Sequence, residues 1–202
     1  MKILVASDIH GSAFWCQKLM DVVREVQPDR VALLGDILYH GPRNALPRDY
    51  DPPAVAAMLN GISDRIIAVR GNCDSEVDQM VLTFPCLGDY ALVMDEGARG
   101  FVADGDQGAM GAGDESADRP VCRQLMLTHG HVFGPNNVPP HPEPCDGQVL
   151  FAVVSGHTHV KTNEVCDGVL FVNPGSVSIP KDGSNSCMVC TDGEIQICLL
   201  GD

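Results

Sequence analysis

Five short apolar runs, each followed closely by Asp, Asn or His, constrain this sequence more than any other feature. Each has the length of a buried strand, and they span residues 3–7, 31–34, 66–69, 125–128 and 151–156. In open α/β sheets, the loops at the carboxyl ends of the strands form the ligand crevice. The pattern therefore predicts one rim where seven side chains from across the sequence meet. These rim residues are Asp8, His10, Asp36, Asn72, His129, His157 and His159.

The rest of the sequence predicts one α/β domain covering residues 1–202. Strand–helix units fill the N-terminal half, where Ser12 can cap one helix and Pro52 can open another. Hairpins fill the C-terminal part, where Asp167-Gly168 has the composition of a two-residue turn. Residues 104–120 are rich in Gly, Asp and Ala with almost no apolar bulk. We expect a flexible surface insertion there.

The net charge of the chain argues against polyanionic partners. Its 13 Lys and Arg against 27 Asp and Glu give a formal charge of −14, which repels nucleic acids and anionic membranes at long range. Apolar residues make up 45% and charged residues 20%, and these near-average values exclude a disordered chain. The first apolar run is too short for a signal peptide or a membrane span. We therefore expect a globular protein with neither a nucleic-acid polymer nor a membrane as its partner.

Cysteine usage predicts a reducing compartment. The nine cysteines are odd in number and scattered, which favours free thiols in the cytoplasm over a disulfide framework. One CxxC pair, Cys187 and Cys190, falls in a strand-like stretch, where positions i and i+3 point to opposite faces and cannot share a metal or a disulfide. The sequence leaves the oligomeric state open, a homo-oligomer included.

The seven rim residues have the chemistry of a centre for two metal ions. They exceed what one tetrahedral zinc ion needs, and they suit two divalent ions about 3.5–4 Å apart that share a carboxylate. Imidazole, carboxylate and amide without thiolate favour Mn, Fe, Zn or Ni over Ca or a soft-metal site. Such a pair would hold a small phosphate ester, and a hydroxide bridging the metals could attack phosphorus in line.

Several blocks of sequence carry a resemblance to a known family. DxH, GD, GNCD, THGH and GHTH, at 8–10, 35–36, 71–74, 128–131 and 156–159, look like the motifs of the calcineurin-like metallophosphoesterase superfamily. More narrowly, four blocks of this sequence resemble small bacterial phosphodiesterases of the YfcE type. They are HGPRNALP (40–47), VRGNCDSEVDQM (69–80), HGHVFGP (129–135) and NPGSVSIPK (173–181). The resemblance covers nearly the whole chain, except the Gly/Asp-rich insertion and part of a proline-rich loop.

The resemblance implies a fold, an activity and a ligand set. The family fold is a four-layer αββα sandwich of two mixed sheets flanked by helices, and the implied activity is hydrolysis of small phosphodiesters. Asp36 should bridge two divalent ions, for which we expect Mn²⁺ first and Fe, Zn or Ni as alternatives. The other ligands should be Asp8, His10 and His159 for one ion, and Asn72, His129 and His157 for the second. A non-catalytic protein-binding scaffold of the Vps29 type shares this fold, but that branch loses ligand histidines, whereas all seven ligands stand here.

Residues beyond the metal ligands are expected to meet the substrate. We expect His131 and Asn72 to act in catalysis; His131 contacts the phosphate, donates a proton to the leaving group, or supports the site by a hydrogen bond. His40 and Arg43, on the loop after the bridging Asp, either contact substrate or order that loop. Cys73 is expected at the substrate, where many family members have His. Because a neutral thiol is a poor acid, aryl esters should be hydrolysed far better than alkyl esters.

Overall fold

Two mixed five-stranded sheets lie face to face in the structure, a computed structural model that describes residues 1–95, 123–141 and 151–201. Its strands are β1 Lys2–Ala6, β2 Arg30–Leu33, β3 Ile66–Ala68, β4 Tyr90–Asp95, β5 Arg123–Thr128, β6 Phe151–Val154, β7 Thr162–Cys166, β8 Val169–Asn173, β9 Ser186–Thr191 and β10 Glu194–Leu199. The strand orders are β10-β9-β1-β2-β3 and β4-β5-β6-β8-β7. The expected pair of mixed sheets is confirmed, whereas the expected insertion at 104–120 lies outside the described residues.

Parallel pairing brings the carboxyl ends of the central strands to one edge. In the first sheet β1 pairs with β2 and β2 with β3 in parallel, and in the second sheet β5 pairs with β6 and β6 with β8 in parallel. Antiparallel neighbours extend the sheets on the remaining sides. Each parallel strand therefore delivers the loop that follows it to the same end of the sheet.

The side chains of β1 alternate between two hydrophobic clusters. Ile3 and Val5 pack between the two sheets, together with Leu127 of β5. Leu4 and Ala6 pack on the other side, against helices. Because both faces of β1 are buried, its sequence is a continuous apolar run rather than an alternating one.

The first two helices of the chain cover the outer face of the first sheet. Ser12 and Asp51 cap the first two by accepting backbone N–H groups at 3.3 and 3.1 Å. The helices are α1 Ala13–Val26, α2 Pro52–Asn60 and α3 Glu76–Val81. The outer face of the second sheet carries a small cluster that includes Phe133, and no helix covers it within the described ranges. No described helix is both long and apolar enough to cross a membrane.

The CxxC pair lies on β9, and its two side chains point to opposite faces, as predicted. Cys187 packs in the cluster under the helices, and Cys190 packs between the sheets. None of the cysteines that the structure describes forms a disulfide. This pair therefore forms neither a disulfide nor a shared metal site.

Candidate metal centre

The loops after five strands converge and bring the rim residues together. Asp8 and His10 follow β1, Asp36 follows β2, Asn72 follows β3, His129 follows β5, and His157 and His159 follow β6. Two hydrogen bonds join the sheets at this point. His129 Nδ1 donates to the carbonyl oxygen of Leu34 at 2.7 Å, and the N–H of His157 donates to Asp8 Oδ2 at 3.0 Å. Both sheets thus build one site.

Five of the seven rim residues have a left-handed backbone. Their φ angles are 57° at Asp8, 49° at His10, 52° at Asp36, 65° at His157 and 59° at His159. Only nine non-glycine residues in the described part of the chain have positive φ. Because this conformation costs about 1–2 kcal/mol for a residue with a Cβ, it persists where surrounding contacts enforce it, typically at functional sites.

Three of the histidines are held so that one ring nitrogen faces inward. The Nδ1 atoms of His10, His129 and His159 lie 2.8, 2.7 and 2.7 Å from backbone carbonyl oxygens. A carbonyl oxygen only accepts, so each Nδ1 carries a hydrogen, and the Nε2 atom of each ring faces the site, where its lone pair is the one available to a metal ion. Metal-binding histidines are oriented in this way by their second nitrogen.

Three potential metal-ligand atoms, from Asp8, His10 and His159, face one another. His10 Nε2 and His159 Nε2 are 3.4 Å apart, and Asp8 Oδ1 lies 3.6 Å from the first and 3.2 Å from the second. Asp8 Oδ1 is buried and accepts no hydrogen bond from the residues that the structure describes. A buried carboxylate oxygen without a donor is costly, and a divalent cation among these three atoms would stabilise it. The donor set therefore fits a metal ion.

Asp36 lies between the two ligand groups. Its Oδ2 is 3.7 Å from His10 Nε2 and 3.5 Å from His129 Nε2, while its Oδ1 accepts the Cys73 N–H at 2.7 Å. Beyond His129, the Oδ1 of Asn72 is 3.0 Å from His129 Nε2. One carboxylate oxygen is thus close to both groups, as a bridging ligand requires.

The His157 ring lies beside the His129 ring, but its nitrogen atoms are not close to the other ligand atoms. Its ring centroid is 5.0 Å from that of His129. Three groups among the described His, Cys, Asp and Glu residues have ligand atoms within 4.8 Å of one another, and His157 belongs to none of them. One of these groups instead joins the Cys73 thiol to His10 and Asp36, a proximity that the sequence did not predict.

Asp74 is a buried acid that fixes the loop carrying Asp36. Its Oδ2 accepts the N–H groups of Asp36 and Gly71 at 2.8 and 2.7 Å, and its Oδ1 accepts that of Ile37 at 2.9 Å. Burial raises the pKa of Asp74, and the backbone donors oppose that rise. A Cβ at Gly71 would overlap the Asp36 carboxylate. The GNCD block thus positions the Asp36 carboxylate through its backbone and through Asp74.

The NPGSVSIPK segment anchors the backbone of Asp8. The hydroxyls of Ser176 and Ser178 donate to the carbonyl oxygen of Asp8 at 2.9 and 3.1 Å. The same segment supplies the carbonyl of Ile179 that holds His159. Sequence reasoning identified this block but missed its role, because a serine hydroxyl gives no sign of a partner more than 160 residues away.

Charge inside the site is balanced between buried acids and imidazoles. Burial opposes ionisation of Asp8, but the imidazoles of His10 and His159 outweigh burial and hold its pKa well below the ordinary value. For His10, burial lowers the pKa, and Asp8 together with the carbonyl of Tyr39 outweighs burial and raises it. Because protons and metal ions compete for these ligands, metal binding at this site should weaken at low pH.

A cavity of about 530 Å³ opens onto the candidate metal centre. Among the residues expected to bind substrate, Arg43 and Cys73 line this cavity. Burial and the carboxylate of Asp36 raise the pKa of the Cys73 thiol to about 12. The thiol at the cavity wall is therefore neutral at physiological pH.

His40 and His131 lie away from the wall of this cavity. The His40 ring packs against Tyr39 and Tyr50, with centroid distances of 4.8 and 5.2 Å. The His131 ring is exposed, 5.3 Å from the ring of His129. His131 is thus next to the candidate metal centre, whereas His40 packs against Tyr39 and Tyr50.

Comparison with known proteins agrees with this geometry. The model of the calcineurin-like phosphoesterase superfamily domain matches residues 1–194. The phosphodiesterase YfcE of Escherichia coli strain K12 is 40% identical over 195 residues, which are 96% of this chain and 89% of that protein.

Solved structures show the same relationship. The structure of YfcE, a phosphoesterase from E. coli, superposes with a TM-score of 0.76 at 35% identity and covers all of both chains. Wild-type Vps29 from Entamoeba histolytica, in complex with zinc, superposes with a TM-score of 0.51 at 16% identity over 98% of each chain, and this likeness shows the fold alone. The family match and the identity to YfcE together establish that the chain is a hydrolase of the calcineurin-like phosphoesterase superfamily.

Proposed function

We propose that this protein hydrolyses small phosphodiesters with two divalent metal ions, Mn²⁺ in the first place and Fe, Zn or Ni as alternatives. One observation carries the proposal: the buried Oδ1 of Asp8, which accepts no hydrogen bond within the described part of the chain, lies close to the Nε2 atoms of both His10 and His159. Acceptors converge in this way where a cation is bound. Oxygen and nitrogen ligands without an obligatory thiolate suit the metals named.

The proposed division of ligands follows the two groups around Asp36. Asp8, His10 and His159 hold one ion, and Asn72, His129 and His157 hold the other, with Asp36 shared. When bound, the two ions supply Lewis-acid activation of a water and offset the charge that develops on the phosphoryl oxygens. The closeness of Asp36 Oδ2 to both His10 and His129 supports this division.

The remaining residues contact the diester, and none of them is a strong acid that could protonate the leaving group. Asn72 faces the cavity, where we propose that it positions the scissile phosphate, and Arg43 lines the same cavity, where we propose that it contacts the substrate. His131, beside His129, is proposed to contact the phosphate or the leaving group. Cys73, a neutral thiol of high pKa, is proposed to contact the substrate without protonating the leaving group.

Manganese-dependent hydrolysis of bis(p-nitrophenyl) phosphate tests the proposal. We expect activity in the metal-loaded protein and loss of at least about 100-fold in Asp36→Ala and His129→Ala, because each removes a ligand. Asp21→Ala, on the exposed side of α1, and His141→Ala, stacked on Phe151, are matched controls that should keep activity. Undiminished activity in both ligand variants would reject the metal assignment, and an inactive wild type that binds Mn²⁺ would favour the scaffold function of the Vps29 type.

The proposal includes a cytoplasmic location and a small-molecule substrate. Cysteine usage carries the first expectation, since the chain has nine scattered cysteines and the described ones form no disulfide. The strongly acidic charge carries the second, because it disfavours nucleic-acid polymers. The oligomeric state, a homo-oligomer included, stays a question for solution measurement.

A further inference from the structure

The cavity at the metal centre is larger than the reacting phosphate needs. Its volume is about 530 Å³, within the range of about 300–1,000 Å³ that holds whole ligands of nucleotide or drug size. The metal ligands occupy only part of its wall. The rest includes two cationic side chains, Arg43 and Lys181, and Lys181 is a residue that sequence reasoning did not single out.

Neither cation has a partner in the part of the chain that the structure describes. The Arg43 and Lys181 side chains are exposed and form no ion pair or hydrogen bond there. Lys161 offers a contrast, since its Nζ lies 2.7 Å from Asp182 and also donates to Ser184. The whole chain has a formal charge of −14. Two cationic side chains that form no ion pair within the described residues nevertheless make this cavity locally attractive to anions.

The two cations are supplied by separate, anchored loops. Lys181 donates its backbone N–H to the carbonyl of His159 at 2.9 Å, which fixes its position beside a metal ligand. Arg43 belongs to the loop after Asp36, where Gly41 packs so closely on the Cys73 thiol that a Cβ would lie 3.1 Å from it. Each cationic side chain therefore belongs to a loop whose backbone packs against residues of the site.

We propose that Arg43 and Lys181 form a subsite for a second anionic group, so that the preferred substrates are phosphodiesters that carry an additional phosphate. The inference rests on the proposed function, since it assigns the scissile diester to the metal centre. A diester has one negative charge, which the two metal ions of the proposed centre would neutralise. A phosphate elsewhere on the same molecule would supply the partner that both side chains lack.

A matched pair of substrates tests this subsite. Thymidine 5′-(p-nitrophenyl phosphate) and its 3′-phosphate contain the same scissile bond and the same leaving group, and they differ only in the additional phosphate. For Mn²⁺-loaded wild type we expect kcat/KM to be about tenfold higher with the 3′-phosphate. In Lys181→Gln and Arg43→Gln this ratio should fall about threefold each, and in the double variant it should approach one. Lys18→Gln, a charge change beside Phe14 on α1, should keep the wild-type ratio.

The outcomes separate failure of the subsite from failure of the proposed function. If metal-loaded wild type hydrolyses neither compound, the proposed function is wrong. If it hydrolyses both with equal kcat/KM, the subsite is absent. If Lys181→Gln slows both compounds by the same factor, Lys181 acts on the scissile phosphate or by general attraction, and the subsite is again rejected.

Discussion

The Asp74 carboxylate accepts the backbone N–H of Asp36 at 2.8 Å, so one buried acid sets the position of another. The same oxygen also accepts the N–H of Gly71, which joins the loop after β2 to the loop after β3. The Asp36 carboxylate is thus placed by backbone hydrogen bonds to its loop as well as by its own side-chain rotamer. This arrangement makes Asp74 a positioning residue.

Replacing Asp74 with Asn should weaken metal binding. The amide nitrogen cannot accept a hydrogen bond, so at least one buried N–H loses its partner, at a cost of about 1–3 kcal/mol of unfolding free energy. We expect Mn²⁺ affinity and diesterase activity to fall about 10- to 100-fold, with activity partly restored by excess Mn²⁺. Metal titration and urea unfolding provide the measurements.

Asp78→Asn is the matched control for that variant. Asp78 caps α3 by accepting the Ser75 N–H at 2.7 Å, away from the ligands. It should lose stability but keep wild-type Mn²⁺ affinity. Equal affinity in Asp74→Asn and wild type would contradict the positioning role.

Metal binding should stabilise the fold. The ligands include two buried carboxylates, at Asp8 and Asp36, and an ion that binds only the native state at 100 times its Kd adds about 2.7 kcal/mol. For a chain of this size we expect Mn²⁺ to raise the Tm of chelator-treated protein by about 5–10 °C. Differential scanning fluorimetry should show this rise in wild type and in Asp21→Ala, and not in Asp36→Ala. A full rise in Asp36→Ala would argue that the ion binds elsewhere.

Hydrolysis should depend steeply on the leaving group. Cys73 lies at the cavity wall and its thiol has a pKa of about 12. Both oxygens of Asp74 accept hydrogen bonds from backbone N–H groups. Neither side chain is therefore expected to donate a proton readily to the leaving group. In a series of phosphodiesters, log kcat should therefore fall as the pKa of the leaving alcohol rises, and alkyl diesters should react far more slowly than aryl ones. Cys73→Ser should leave the slope unchanged. A flat series would reveal an acid, for which His131 is the first candidate.

The loop that carries Lys181 should respond to pH through Asp182. Slight burial raises the pKa of Asp182, but the Lys161 ammonium and backbone N–H, each donating at 2.7 Å, outweigh it and lower the pKa. A depressed native pKa adds stability above the ordinary value of about 3.9, and this stability is lost as pH falls through the native pKa. In Lys161→Met, NMR titration should show the Asp182 pKa moving back toward its ordinary value. The stability difference from wild type should be present at neutral pH and vanish in acid, whereas an unchanged Asp182 pKa would exclude the ion pair as its cause.

Much of the fold was predictable because local rules agree with the tertiary structure. The run at 31–34 gave β2, Ser12 caps α1, and Asp167-Gly168 joins β7 to β8 with positive φ at both residues. These features depend on neighbouring residues, which a sequence shows directly. The pairing of β1 with both β2 and β9 depends on residues far apart in the chain, and only the resemblance predicted two sheets.

The sequence by itself determined which seven side chains follow the apolar strands, since strand ends and ligand chemistry are both local properties. Only the tertiary structure decided how those side chains are aimed. The left-handed backbone at Asp8 and Asp36, the carbonyls that orient His10 and His129, and the hold of Asp74 on the loop of Asp36 all depend on contacts between distant segments. The type of each ligand residue can be read directly from the sequence. Its orientation cannot, because hydrogen bonds are directional and these partners come close only when the chain folds.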